Sequence, residues 1–229
     1  MMNNIMTMLD DLYYPDGKNL TTFCVGRPGS GKSYFLKNTL SQALRDNRDE
    51  SWRIIYVCPK EEMFFDEDSL IGTYDFVKHL KKNRLAVIYP DINNLDEEVD
   101  YIIDTLFDIK NSNPEFKATL IIDDAQIFIS NRKSQSIALR RLALTGRSKN
   151  IRAVFCSHSF IFSRDLEGST STILNFTMPV KMLAADAHKR YGFDAEEYME
   201  ELSQTPYSYV YFDVVSGKSR LMPPLEVKR

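Results

Sequence analysis

Residues 26–33 read GRPGSGKS, and few eight-residue strings constrain a fold as tightly. The spacing G-x-x-x-x-G-K-S demands a strand before it and a helix behind it. Residues 20–25 (LTTFCV) supply the strand. From residue 32 to 44, Phe35, Leu36, Leu40, Ala43 and Leu44 recur at helical spacing. Gly29 and Gly31 let the backbone wrap an anion closely, so that several N–H groups and a helix N-terminus converge on it. Gly26, Arg27, Pro28, Gly29, Ser30, Gly31, Lys32, Ser33 and Tyr34 are therefore the expected nucleotide-binding set. Lys32 is expected to neutralise the β- and γ-phosphates of ATP, and the Ser33 hydroxyl to ligate Mg²⁺. A chance match in a glycine-containing turn is the competing reading, and the flanking strand and helix count against it.

A phosphate loop of this kind needs a second carboxylate site for its metal. Residues 119–126, TLIIDDAQ, deliver Asp123 and Asp124 to the end of an aliphatic strand. Asp123 is expected to hold Mg²⁺ through its water shell. Asp124 lies one residue further, where a hydrolytic enzyme keeps the carboxylate that polarises an attacking water. An Asp-Asp pair at a strand end also suits an ordinary turn. Further on, residues 146–159 read GRSKNIRAVFCSHS. The buried-looking run 153–156 has Arg147, Lys149 and Arg152 at its entrance, Ser157 and His158 at its exit. Strand ends reach solvent, and polar residues sit there at little cost. In a doubly wound sheet, however, ligands lie beyond the carboxyl ends of the strands. His158 would then face the γ-phosphate. Arg147, at the opposite end, makes better sense reaching a neighbouring subunit's nucleotide, where it would stabilise charge on the transferring phosphoryl group.

The remaining pattern alternates strand and helix. Strands are expected at residues 54–57, 85–89, 118–122 and 207–215, and helices at 73–82 and 135–145. Asn94 and Glu97 read as a capping box ahead of a helix with Val99, Ile102, Ile103, Leu106 and Phe107 on one face. Asp194 and Glu197 cap another, with Ala195, Tyr198, Met199 and Leu202 in register. Ser216-Gly217 turns the last strand into a hairpin. Asp16-Gly17 suggests that residues 12–14 hairpin onto the first strand. The expected class is α/β, a three-layer P-loop NTPase core with a mostly parallel central sheet and a strand-rich C-terminal hairpin. One ATPase domain spans residues 1–229, divided into a lead-in (1–19), a nucleotide-binding core (20–159) and C-terminal helices and hairpin (160–229).

Composition narrows the partners. The formal charge of −3, from 29 basic and 32 acidic residues, argues against a protein that coats nucleic acid with its whole surface. A local basic contact is still allowed. No run is apolar enough for a membrane span, and residues 1–11 lack the pattern of a signal peptide, so a cytosolic chain is expected. Cys24, Cys58 and Cys156 are read as small buried apolar side chains. The three histidines are scattered and suggest no zinc site.

GRPGSGKS, LIIDDAQ and GRSKNIRAVFCSH together resemble the FtsK–HerA superfamily of DNA-pumping ATPases. They look most like the short genome-packaging ATPases of poxvirus-like viruses and of tailless, membrane-containing phages. The resemblance covers roughly residues 22–159. It implies a RecA-like core, Walker A and Walker B motifs, a ring oligomer (usually a hexamer) and sequence-independent translocation of DNA. It also implies a site of action in the host cytoplasm, with association with the virion and a capsid or vertex protein as partner. By the match Arg147 is the arginine finger, and His158 takes a sensor position where relatives carry Gln. Asp124 stands where many relatives carry Glu. Within the same superfamily, the sequence is also similar to the zonula-occludens-toxin-like proteins that export filamentous phage, although those usually carry a membrane span. A nucleotide kinase would need an Arg-rich lid that the sequence lacks. A non-hydrolysing scaffold would have no use for Asp124 and Arg147.

For DNA, the loop at residues 130–136 (SNRKSQS) offers Arg132 and Lys133 among small polar residues, suited to phosphate contacts and equally to a solvated loop. The Lys-rich run at 78–84 reads as a solvated helix end. YSYVYF alternates its aromatics and reads as packing, not as a surface for stacking bases.

Overall fold

The computed structural model describes residues 12–16, 21–59, 70–129, 136–160, 164–177 and 181–225. In chain order the first half runs β1 (Thr21–Val25), α1 (Lys32–Asp46), β2 (Trp52–Val57), β3 (Leu70–Ile71), α2 (Phe76–Leu80), β4 (Leu85–Ile88), α3 (Leu95–Ser112) and β5 (Lys117–Ile122). It continues with α4 (Gln126–Ile129), α5 (Ile137–Thr145), β6 (Ile151–Ser157), α6 (Arg164–Gly168), β7 (Thr170–Asn175), α7 (Lys181–Tyr191), α8 (Met199–Gln204), β8 (Tyr209–Asp213) and β9 (Lys218–Met222). The strands form one nine-stranded sheet in the order β3-β4-β2-β5-β6-β1-β7-β8-β9. All neighbours from β3 to β7 are parallel. β8 and β9 close that side as an antiparallel hairpin, with Gly217 in the left-handed turn (φ 68).

Side chains alternate across the sheet, so each strand feeds two cores. Phe23, Ile55, Leu120 and Phe155 face the larger one, covered by α2, α3, α5 and the C-terminal helices. Cys24, Ile54, Ile121 and Val154 face the other, covered by α1 through Phe35, Leu36 and Leu40. Both faces of β5 are covered, which is why residues 118–122 read as a nearly unbroken apolar run. The result is the three-layer α/β arrangement that the alternation of elements predicts. Cys24, Cys58 and Cys156 are buried free thiols, as expected.

Two local expectations are corrected, and one further strand appears. Residues 12–13 are helical rather than a hairpin strand. Tyr13 is buried against α1 with its hydroxyl 2.6 Å from Thr39 Oγ1, a burial no turn signal announces. The capping box at Asn94 does not form: no side chain caps α3, because Asn94 Nδ2 donates instead to Asp91 Oδ2 at 3.1 Å. β7, TSTILN, was not anticipated at all, although it pairs directly with β1.

Candidate nucleotide site

Register brings three strand ends into one row. Val25 lies opposite Ser157, and Ile122 lies opposite Phe155. The strand order puts β6 between β1 and β5. The residues that leave these strands, Gly26, His158 and Asp123-Asp124, therefore gather at one edge, the carboxyl edge where α/β sheets bind ligands. Backbone bonds lock the row: Gly26 N donates to Ser157 O (3.2 Å), Ala125 N to Cys156 O (2.7 Å) and Arg27 N to Thr177 O (2.8 Å).

The loop after β1 has the two left-handed glycines its motif requires, Gly29 at φ 73 and Gly31 at φ 95. Lys32 is buried, and its Nζ donates to Gly26 O at 2.7 Å and Arg27 O at 3.0 Å. The ammonium group is thus held at the mouth of its own loop. Ser30 Oγ is buried with no hydrogen-bond partner among the described residues, which leaves a hydroxyl for an anion.

Across β6, the two aspartates take different environments. Asp123 is buried and doubly held. Its Oδ1 accepts Asp124 N at 2.9 Å, and its Oδ2 accepts the Tyr56 hydroxyl at 2.8 Å. Burial, and then the Asp123 charge, push the Tyr56 phenol well above its ordinary pKa, so it stays a donor. A carboxylate offers about four lone-pair sites, so Asp123 keeps acceptor capacity for a further ligand. Burial raises the Cys24 and Cys156 thiols; Asp123 raises them further and Lys32 pulls them back.

Asp124 sits in a left-handed turn at φ 49, a conformation Asp tolerates better than most residues. Its Oδ1 is 3.4 Å from His158 Nε2 and accepts Gln126 Nε2 at 3.1 Å. Gln126 Nε2 also lies 3.4 Å from His158 Nδ1. The imidazole tautomer protonated on Nε2 satisfies both histidine contacts, donating to Asp124 and accepting from Gln126. His158 is thus partnered to Asp124 within the chain. Gln126 and Tyr56 were not singled out from sequence. Tyr56 reaches Asp123 across the strand pairing of β2 with β5, and Gln126 folds back onto Asp124 from two residues further along.

Arg147 lies elsewhere. It occupies a turn of 3₁₀ helix, Arg147–Lys149, at the amino end of β6, and it is exposed. Seven strand residues separate it from His158, a span of roughly 20 Å at about 3.3 Å per residue. Arg132 and Lys133 lie outside the described residues. Arg140 pairs with Asp165 (3.3 Å) and Arg141 with Asp104 (3.2 Å), so both serve contacts within the chain. The described residues contain no cluster of metal-ligating side chains of three or more, and no helix long and apolar enough to cross a membrane.

No protein-family model matches the sequence, and no curated protein matches it. Solved structures do share the fold. The genome-packaging NTPase B204 of Sulfolobus turreted icosahedral virus 2, in complex with ATP-gammaS, superposes with a TM-score of 0.70 at 16% identity, over 92% of this chain and 100% of that one. The pCW3 conjugation coupling protein TcpA gives 0.60 at 12% identity, over 90% of this chain and 60% of its own. The cytoplasmic domain of the Thermomonospora curvata type VII secretion ATPase EccC gives 0.64 at 16%, over 91% and 26%. The chain shares its three-layer α/β fold, with a phosphate loop after the first strand, with these ATPases.

Proposed function

We propose that this chain is an ATP-hydrolysing DNA translocase that drives a viral genome into its capsid as a ring of identical subunits. The observation that carries the reading is the row of phosphate loop, Asp123-Asp124 and His158 on three adjacent strand ends, with Arg147 at the far end of the middle strand. The packaging role is supported by likeness along nearly the whole of both chains to a genome-packaging NTPase.

The donors present suit a hard divalent cation. Ser33 offers a hydroxyl and Asp123 a carboxylate with lone pairs to spare, the oxygen ligands Mg²⁺ prefers. When bound, Mg²⁺ would neutralise phosphate charge. Lys32 would exchange its two carbonyl partners for phosphate oxygens, with the loop N–H groups and Ser30 Oγ completing the cradle. Asp124 would orient the attacking water and take its proton. His158 and Gln126 fix the direction of that carboxylate, and His158 is the sensor of the phosphate end. Arg147 would reach the nucleotide of the next subunit.

A neighbour is supported by α5. Ile137 is 87% exposed and Leu144 61%, two large aliphatic side chains on the helix that leads directly to Arg147. Arg132 and Lys133, between α4 and α5, are proposed to touch DNA phosphates without reading sequence. The setting would be the host cytoplasm, with a capsid or vertex protein as docking partner and association with the virion.

The test combines ATPase rate with native mass, with and without double- or single-stranded DNA. The reading expects a multimer whose turnover rises with DNA. Replacing Arg132 and Lys133 by Ala should flatten the log–log salt slope of DNA binding by about one to two units. Monomeric, DNA-indifferent turnover would leave an ATPase and remove the translocase.

A further inference from the structure

The aromatics of YSYVYF do not behave alike. Tyr209 is buried, its ring 5.3 Å from Phe176 in a stacked pair and 4.7 Å from Phe35. That is packing, as the alternation suggests. Tyr207 is 57% exposed and lies before β8 begins, in a turn. Ser208 N donates to Thr205 O at 3.2 Å, closing a four-residue turn with Pro206 second and Tyr207 third. Tyr207 has φ 66. Proline second and a positive φ third is the pattern of a type II turn, whose third position normally takes Gly or Asn. A bulky aromatic there is an outlier that local propensity does not explain, and such outliers concentrate at functional sites.

The ring meets the phosphate loop. A Cβ at Gly31 would come within 2.6 Å of Tyr207 Cδ1, so the ring edge rests on the glycine immediately before Lys32. The helix that leads into the turn is tied to the same loop through Thr177. Thr177 Oγ1 donates to Leu202 O in α8 at 3.0 Å, while Thr177 O accepts Arg27 N. An exposed aromatic thus lies beside the phosphate loop, just past a helix that is tied to that loop.

We propose that Tyr207 is the platform on which the nucleobase stacks. The proposal rests on the nucleotide reading of the loop and adds to it the recognition of the base. A ring presents a face and reads no hydrogen-bonding edge, so this contact favours any nucleoside triphosphate over bare polyphosphate and discriminates weakly among bases.

The test compares ATP, GTP, CTP and inorganic tripolyphosphate binding by calorimetry in wild type, Tyr207→Phe and Tyr207→Asn. Asn tolerates the left-handed turn, so that variant removes the ring without straining the backbone. Tyr207→Asn should weaken ATP roughly tenfold, the scale of one lost base–aromatic stack, and leave tripolyphosphate unchanged. Tyr207→Phe should bind both like wild type, and the three nucleotides should differ by only a few-fold in wild type. Equal losses for ATP and tripolyphosphate would make Tyr207 a support of the loop and overturn the proposal. So would unchanged ATP binding. Wild-type protein that binds neither ligand would overturn the nucleotide reading itself.

Discussion

The two ends of β6 are built in opposite ways. At its carboxyl end everything is stitched within the chain. Cys156 and Ser157 are buried, their carbonyls hold the phosphate loop and the Asp-Asp turn, and His158 leans on Asp124. At its amino end the chain turns outward. Gly146 allows this: a Cβ there would come within 2.6 Å of both Leu142 O and Ile151 O, so α5 and β6 meet more tightly than any other residue permits. Arg147 follows at once, exposed, beyond the bare Ile137 and Leu144. The difference separates a row of groups tied together within the chain from an exposed surface that carries Arg147. Each prediction below attacks that division.

The largest effects are expected from removing the cation at either end. Arg147→Ala should bind ATP normally and lose hydrolysis by roughly 10³-fold or more, the scale of a missing arginine finger. Lys32→Ala should abolish turnover from the closed end. Mixing the two decides the geometry. In a mixed ring, an Arg147→Ala pocket beside a Lys32→Ala neighbour receives an intact arginine, and activity should partly return. No recovery at any ratio, in rings shown by mass to mix, would place Arg147 in its own subunit's site and erase the contrast between the two ends.

How much of this was readable from sequence depends on range. GRPGSGKS and the Asp-Asp strand end are local patterns, and the structure puts them where the motifs require. β7 escaped because TSTILN is half hydroxylic. Its Thr and Ser side chains are nevertheless buried, with Thr21 Oγ1 3.0 Å from Ser169 Oγ and Ser171 Oγ donating to Thr21 O. Such a run shows no apolar pattern, yet hydrogen bonding to the neighbouring strand lets its hydroxyls sit in the core. Tyr56 and Gln126 escaped for a related reason: one is two strands from β6 and the other two residues past Asp124, and only packing brings them onto the carboxylates.

A smaller effect should separate the adjacent aspartates. Asp124→Asn keeps Mg·ATP bound and slows hydrolysis roughly a hundredfold, the usual scale for losing a general base. Asp123→Asn should instead raise the Mg²⁺ concentration needed for turnover. Single-turnover rates at saturating Mg²⁺ distinguish them. If both variants recover fully with added Mg²⁺, Asp124 is a second metal carboxylate and the water has another base.

The smallest effect tests whether the closed end is organised to its second layer. Tyr56→Phe deletes one hydroxyl and keeps the ring that packs beneath α1. It leaves Asp123 Oδ2 buried without the donor it now has at 2.8 Å. Two consequences oppose each other. The freed oxygen gains charge for a cation, and the carboxylate loses the contact that fixes its direction. Losing such an outer partner commonly costs 10–100-fold in metal affinity, so orientation should win and the Mg²⁺ requirement should rise about tenfold. Binding of ATP without metal should not change, nor should the rate at saturating Mg²⁺. A fall in the Mg²⁺ requirement would show the phenol competing with the cation for Asp123. No change at all would mean that Asp123 is not the carboxylate that meets the metal.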